Sequence, residues 1–330
     1  MKRAAVEIQF NWILVLIAGV FIFLFFFSLI TWAKKHAEES SSVTLSSYID
    51  AILTAASIRK DTVNKVDLPI EAIELSCEGY RINEAKAATN FRNKVVFAPS
   101  RLEGKQVITW AVAFDAPFRV MNFLMVSSPD VRYIIRGDPN NEIMRYLMEY
   151  FPKELTPEFN PASVTDLNHK KVRVIYVGVT VASSDAEPFK AMPSADMTAL
   201  KIDGDLTSGT ITFYSKNPPL PTAQFMPGGS MPYYSTASLM ASIFSEKSEE
   251  YDCGMRKALA RLNKVAQIYS YRSNTLSVQG SLSCKNYHSQ AKIQFDALTA
   301  LSDMNVLNAI AMQLESINQN TQRNSCALLY

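Results

Sequence analysis

No charged side chain occurs between Ile8 and Ala33, and this run constrains the chain more than any other feature. Trp12 to Trp32 spans 21 residues, roughly 32 Å as a helix against a bilayer hydrocarbon core of about 30 Å. A tryptophan at each end suits the headgroup interface, where an amphipathic ring keeps one side wet. A core helix of this length would carry a polar stripe. A cleaved secretory signal would have a shorter apolar region and a small-residue cleavage site, whereas Lys34, Lys35 and His36 follow directly. The run is therefore expected to stay in place as a membrane anchor, with bilayer lipid as a partner.

Orientation is read from the cysteines. Lys2 and Arg3 before the run and Lys34 and Lys35 after it give opposed signals. All four cysteines, Cys77, Cys253, Cys284 and Cys326, come after the anchor, and none forms a C-x-x-C pair. An even number without metal-site spacing fits disulfides in an oxidising space. The expected topology is a single pass with a cytoplasmic N-terminus and an extracytoplasmic region from residue 37. Residues 1–36 carry a net +3 and the whole chain +2, which leaves −1 beyond the anchor. A near-neutral region gives no electrostatic basis for binding nucleic acid.

Leu45, Ile49, Ile52 and Ala56 step by four, three and four residues, the spacing of an amphipathic helix. A short basic tail, Glu7, the stretch "IQFNWILVLIAGVFIF" and this amphipathic extension resemble the N-terminus of type IV pilin-like proteins. They also resemble uncharacterised single-pass surface proteins of small-genome archaea. For Glu7 the resemblance implies a contact with a neighbouring subunit inside a filament core, and for the protein it implies self-assembly.

The rest of the chain reads as an α+β or α/β ectodomain. Its expected parts are a tail and anchor (1–36), a helical stalk (37–68), a β-rich α/β domain (69–216), a Pro/Gly loop (217–236) and a C-terminal helical region (237–330). Short β-branched and aromatic runs between 70 and 136 predict strands. "VRYIIRGD", a helix within "DPNNEIMRYLMEYFPKEL" with Asp138 or Asn140 as its cap, and "KKVRVIYVGVTVA" have a β-α-β rhythm and predict a small Rossmann-like layer. Gly137-Asp138-Pro139 after its first strand is no phosphate-binding loop, because proline and aspartate stand where open backbone N–H groups are needed. No cofactor is expected. "MTALKIDGDLTSGTITFYSK" predicts a hairpin over 197–203 and 209–215. Asp203, Asp205 and Thr207 imitate a calcium loop, but glycine falls one place late and Tyr214 stands where the bidentate glutamate belongs.

Five prolines and two glycines over 217–236 predict a loop without regular structure. Its Phe225, Met226, Met231, Tyr233 and Tyr234 form a candidate partner surface, since aromatic residues and Met are enriched at interfaces. Leucine and methionine stripes over 238–272 and 286–321, with a break near Ser302-Asp303, predict a helical hairpin joined by "SNTLSVQGSLSCKN". That hairpin, folded back at the break, predicts Cys253 paired with Cys326 and Cys77 with Cys284.

No G-x-S-x-G or H-E-x-x-H motif occurs. Of the three histidines only His288 lies near a cysteine, Cys284, and a Cys-His pair needs a free thiolate. The sequence assigns no catalytic residue. Its leading reading is an anchored surface protein that binds a protein partner or itself. The alternative is a membrane-tethered hydrolase built on the α/β domain.

Overall fold

The computed structural model describes residues 3–58, 62–68, 72–82, 88–164, 169–217 and 222–330, and in the first helix the side chains of 15–32 and 45–58. That helix, α1, runs Arg3–Ile58. By its contacts the chain forms two compact units, Met1–Ala51 and Ile52–Tyr330. In the first unit Val15–Trp32 is a fully unburied apolar stretch of helix. The Thr31 hydroxyl turns back to the carbonyls of Phe27 and Ser28, which removes that donor from the apolar surface. Glu7 and Trp12 lie in α1, and their side chains are outside the described residues, as are Pro69 and Pro218 to Pro221.

The second unit is mixed α/β. Its strands are β1 (Val63–Asp67), β2 (Ala72–Leu75), β3 (Gly79–Ile82), β4 (Thr89–Asn90), β5 (Val95–Phe97), β6 (Arg101–Glu103), β7 (Gln106–Asp115), β8 (Arg119–Ser127), β9 (Val131–Gly137), β10 (Glu158–Phe159), β11 (Lys171–Val177), β12 (Met197–Gly204), β13 (Ser208–Lys216) and β14 (Phe225–Tyr234). Its further helices are α2 (Glu142–Tyr150), α3 (Ser235–Phe244), α4 (Ser248–Gln279), α5 (Leu282–Thr299) and α6 (Leu307–Arg323). One four-stranded sheet has the order β1-β7-β8-β5, a smaller one β4-β3-β2-β6, and the six-stranded sheet β10-β9-β11-β12-β13-β14.

β9 and β11 are parallel with α2 between them in sequence, and Asn141, not Asp138 or Asn140, caps α2 by accepting from the amides of Ile143 and Met144. All seven residues of β11 are buried, as expected of a central strand with both faces covered. Its Val172, Val174 and Tyr176 meet Val164, Ala186 and Phe189 on one side. On the other side of the sheet Tyr133 meets Phe244 of α3 at 5.7 Å between ring centroids, and Phe244 meets Trp110 of β7 at 6.3 Å. α3 is thus a core helix wedged between two sheets, buried from Ala237 to Phe244. Tyr251 in the first turn of α4 continues this seam, touching Phe97 of β5 and Phe213 of β13.

Three expectations need correction. The Pro/Gly segment is not irregular, because Phe225–Tyr234 pairs with β13 along its whole length. Pro227 and Pro232 are tolerated because β14 is the outermost strand, where a missing N–H breaks no ladder. Gly228 is the extra residue of a bulge opposite Phe213 and Tyr214, and Gly229 takes φ 144°, open only to glycine. Second, the helical stretch from 238 to 272 is two helices that turn a corner at Ser245–Lys247, and most of the predicted connector is helical, since α4 runs on to Gln279 and α5 starts at Leu282.

The third correction concerns the disulfides, which join Cys77 to Cys253 and Cys284 to Cys326. Cys253 sits near the start of a helix of 32 residues, roughly 48 Å long, and Cys284 follows its far end. α6 doubles back on α5 after the break and brings Cys326 to the start of α5, not to the start of α4. The Asn324 amide to the Tyr287 hydroxyl marks the same approach at 3.2 Å. The chain end is held there as well, with Phe118, Tyr269, Phe295 and Tyr330 in mutual ring contact.

Candidate functional site

The most concentrated set of charges in the core sits where α3 ends against β11. The last carbonyls of a helix have no partner within it. Here Arg173 supplies one: its guanidinium donates to the carbonyls of Ile243 and Glu246 at 3.3 Å, Ser242 at 3.0 Å and also Ser245. Its face lies 5.7 Å from the Phe213 ring. Burial pulls the Arg173 pKa down to about 10, with the Glu246 charge acting the other way, so it remains a cation at neutral pH. Next to it the Lys171 ammonium meets Glu246 at 2.5 Å, and the second Glu246 oxygen accepts from the Ser100 amide and hydroxyl at 3.1 and 2.5 Å. Glu250 accepts from the Glu246 amide, and burial together with the Glu246 charge raises its pKa.

Each arm of this cluster is already used. The two voids beside it have volumes of about 10 Å³ each, enough for one water molecule apiece. It fixes the α3–α4 corner between the sheets and offers no room for a substrate. A buried pair of this kind is weak evidence for net stability and better understood as fixing one arrangement of the elements.

A second group of charges lines an open cleft of about 590 Å³ between the β1 end and the turns before β7 and β9. Lys170 reaches Glu103 at 3.0 Å and Asp130 at 3.8 Å, and Gln106 donates to Asp67 at 2.8 Å. Lys170 and Arg101 hold the Glu103 carboxyl below its ordinary pKa. Gly104, at φ 105°, forms the rim, where a β-carbon would lie 2.7 Å from an Asp130 oxygen. Only Leu68 and Pro129 are apolar there. The groove carries charges of both signs, Asp67, Glu103, Lys105 and Asp130.

The sequence candidates are dispersed. Of the five residues in the proposed partner surface, Phe225 and Tyr233 are buried, Met226 is exposed, and Met231 and Tyr234 are half-buried. The Tyr233 hydroxyl donates to the Asp205 carbonyl, and the Asp205 carboxylate accepts from the amides of Thr207 and Ser208. The Thr207 hydroxyl, donating to the same carboxylate at 2.5 Å, and then those amides hold Asp205 below its ordinary pKa and close the hairpin turn. Cys284 is bridged and is no thiolate for His288, which is itself buried with its pKa lowered by desolvation and by Arg272. Glu78 lies beside the Cys77–Cys253 bridge, where it forms an ion pair with Lys257, and both sulfurs are taken by the bridge. Trp32 is exposed at the end of the apolar stretch.

Lys171, Arg173 and Glu246 escaped the sequence reading. The available signal was an arginine in the middle of the most hydrophobic strand, a position where a lone cation must have partners. The chain matches no protein-family model, no curated protein and no solved structure.

Proposed function

We propose that this is a single-pass, membrane-anchored surface protein whose extracytoplasmic unit has a structural or partner-binding role. The observation that carries the reading is the joining of two features in one chain. An apolar helical stretch exposes every side chain from Val15 to Trp32, and a folded unit follows in which all four cysteines are bridged. Exposed aliphatic and aromatic surface on this scale needs lipid or protein to cover it, and two bridges persist in an oxidising compartment. The mixed-charge cleft and exposed Met226 are the places on the folded unit where a protein partner would first be sought. Self-assembly through Glu7, in the manner of pilin-like proteins, belongs to the same proposal.

Protease added to intact cells or right-side-out vesicles tests it. Digestion of the region after residue 37, with residues 1–32 spared and resistant to alkaline extraction, is the expected result. Full protection of the folded unit would overturn the topology, and release by alkaline carbonate would overturn the anchor.

A further inference from the structure

We propose that the α4–α5 hairpin is a lipid-contacting element, its outer ridge and tip lying on an anionic membrane surface. The first observation is charge. From Cys253 to Phe295 the chain holds seven lysines and arginines and no aspartate or glutamate, which leaves −5 for the remainder of a chain whose total is +2. Arg261, Lys264 and Lys285 make no ion pair among the described residues; Arg261 and Lys264 are exposed and Lys285 is half-buried.

The second observation is the apolar content of the same surface. Residues 261, 264, 268, 271, 275 and 278 are spaced by three and four and share one helical stripe, opposite the buried Leu259, Leu262 and Ala266. This stripe begins with Arg261 and Lys264 and ends with Ile268, Tyr271 and Val278. Tyr271 is 76 % exposed, and Leu282 at the tip is 89 % exposed, the highest value among the exposed large apolar side chains. The acids beside the hairpin, Asp252, Glu78 and Asp296, are taken by Arg256, Lys257 and Lys292. A helix with aliphatic and aromatic side chains and further basic residues on its free face is built for the boundary between headgroups and acyl chains. Nucleic acid would use the cations and leave Ile268, Val278 and Leu282 in water. An acidic protein would do the same, unless it also carried an apolar ridge.

This contact shares no residue with the anchor and goes beyond it. The test uses the full chain in lipid nanodiscs of phosphatidylcholine, alone or mixed with phosphatidylglycerol, read by hydrogen exchange. Amides of residues 279–285 are expected to exchange about tenfold more slowly in the anionic discs, the effect of one to two lysines at a charged surface. Added salt, the Lys264→Glu/Lys285→Glu variant and Leu282→Ser should each remove that difference. Lys264 and Leu282 are exposed and Lys285 is half-buried, and an unchanged melting temperature checks that each variant keeps its fold. Equal exchange in both discs would overturn the proposal. So would slowing that follows protein concentration in either disc, since that is contact with a second copy. Protection of residues 15–32 in both compositions reports on the anchor separately.

Discussion

The two disulfides do different work at the two ends of α4. Cys77–Cys253 closes a separation of 176 residues and joins a small sheet to the helix start, whereas Cys284–Cys326 closes 42 residues within the helical end. On chain entropy alone they stabilise by about 5 and about 4 kcal/mol, because the effect grows only with the logarithm of loop length. Their surroundings separate them far more. Around Cys253 the packing is tight: Gly254 lies so close to Phe97 that a β-carbon would stand 2.4 Å from the ring. Around Cys284 the neighbours are half-exposed helices, and the bridge with the aromatic cluster at Tyr330 is what holds the chain end down. One bridge reinforces the tightly packed seam between the sheets. The other ties the chain end to a smaller core among the helices, around Phe295, Leu298 and Leu314.

The largest effect should come from replacing one bridge at a time by alanine pairs. Urea unfolding should show losses of about 5 kcal/mol for Cys77/Cys253 and about 4 kcal/mol for Cys284/Cys326. The second loss should be accompanied by fast exchange confined to residues 307–330. Global opening in both variants would break the contrast between the two ends.

Arg173→Ala comes next. It leaves the carbonyls at the end of α3 without their donor and removes the cation beside Glu246. A loss of about 3–5 kcal/mol is expected, as for a broken buried ion network. Arg173→Lys should recover only part of it, because one ammonium cannot reach all four carbonyls. A change below the range of surface substitutions would show that the α3–α4 corner is held by packing alone.

Gly254→Ala should cost about 1–3 kcal/mol by overpacking against Phe97, measured as a lowered melting temperature. A glycine-to-alanine change in an unpacked helix interior would be stabilising, so the sign itself is diagnostic of the tight end.

The smallest effect concerns pH and belongs to the looser end. The His288 pKa is lowered in the folded chain, first by desolvation and then by Arg272. The unfolded chain therefore binds more protons near its ordinary pKa of about 6.5. Stability is present above that value and falls as pH drops through it. His288→Gln should flatten the melting temperature between pH 7.5 and 5.5, and an unchanged slope would remove His288 as the cause. Glu250 runs the other way: its raised pKa gives a contribution that is fully present below the ordinary carboxyl value and is lost as pH rises from there through the lifted one.

Much of the secondary structure could be read from the residues alone. The hairpin of β12 and β13 follows from alternation around a turn of Asp, Gly and Ser, and the break before α6 follows from Ser302-Asp303, where Asp303 caps the next turn. Local chemistry decides both. The stop of α3 was not legible, because "FSEKSEE" has neither glycine nor proline and its stop signal is Arg173, about 70 residues earlier in the chain. β14 was hidden for the opposite reason: its local chemistry says loop, and only its place at the rim of the sheet makes a strand affordable. The disulfide pairing failed on one fact of length, the extra turns by which α4 carries Cys284 away from Cys77.

The bulged, proline-bearing β14 also limits how copies of this protein can join. It is one border of the six-stranded sheet, and the opposite border is β10, two residues long. Neither offers an intact row of amides to which another chain could add a strand. Growth of this sheet from molecule to molecule, the route by which many β-rich domains form ribbons or fibres, is closed at both sides. Any self-association of this protein would have to use surfaces other than the two borders of this sheet.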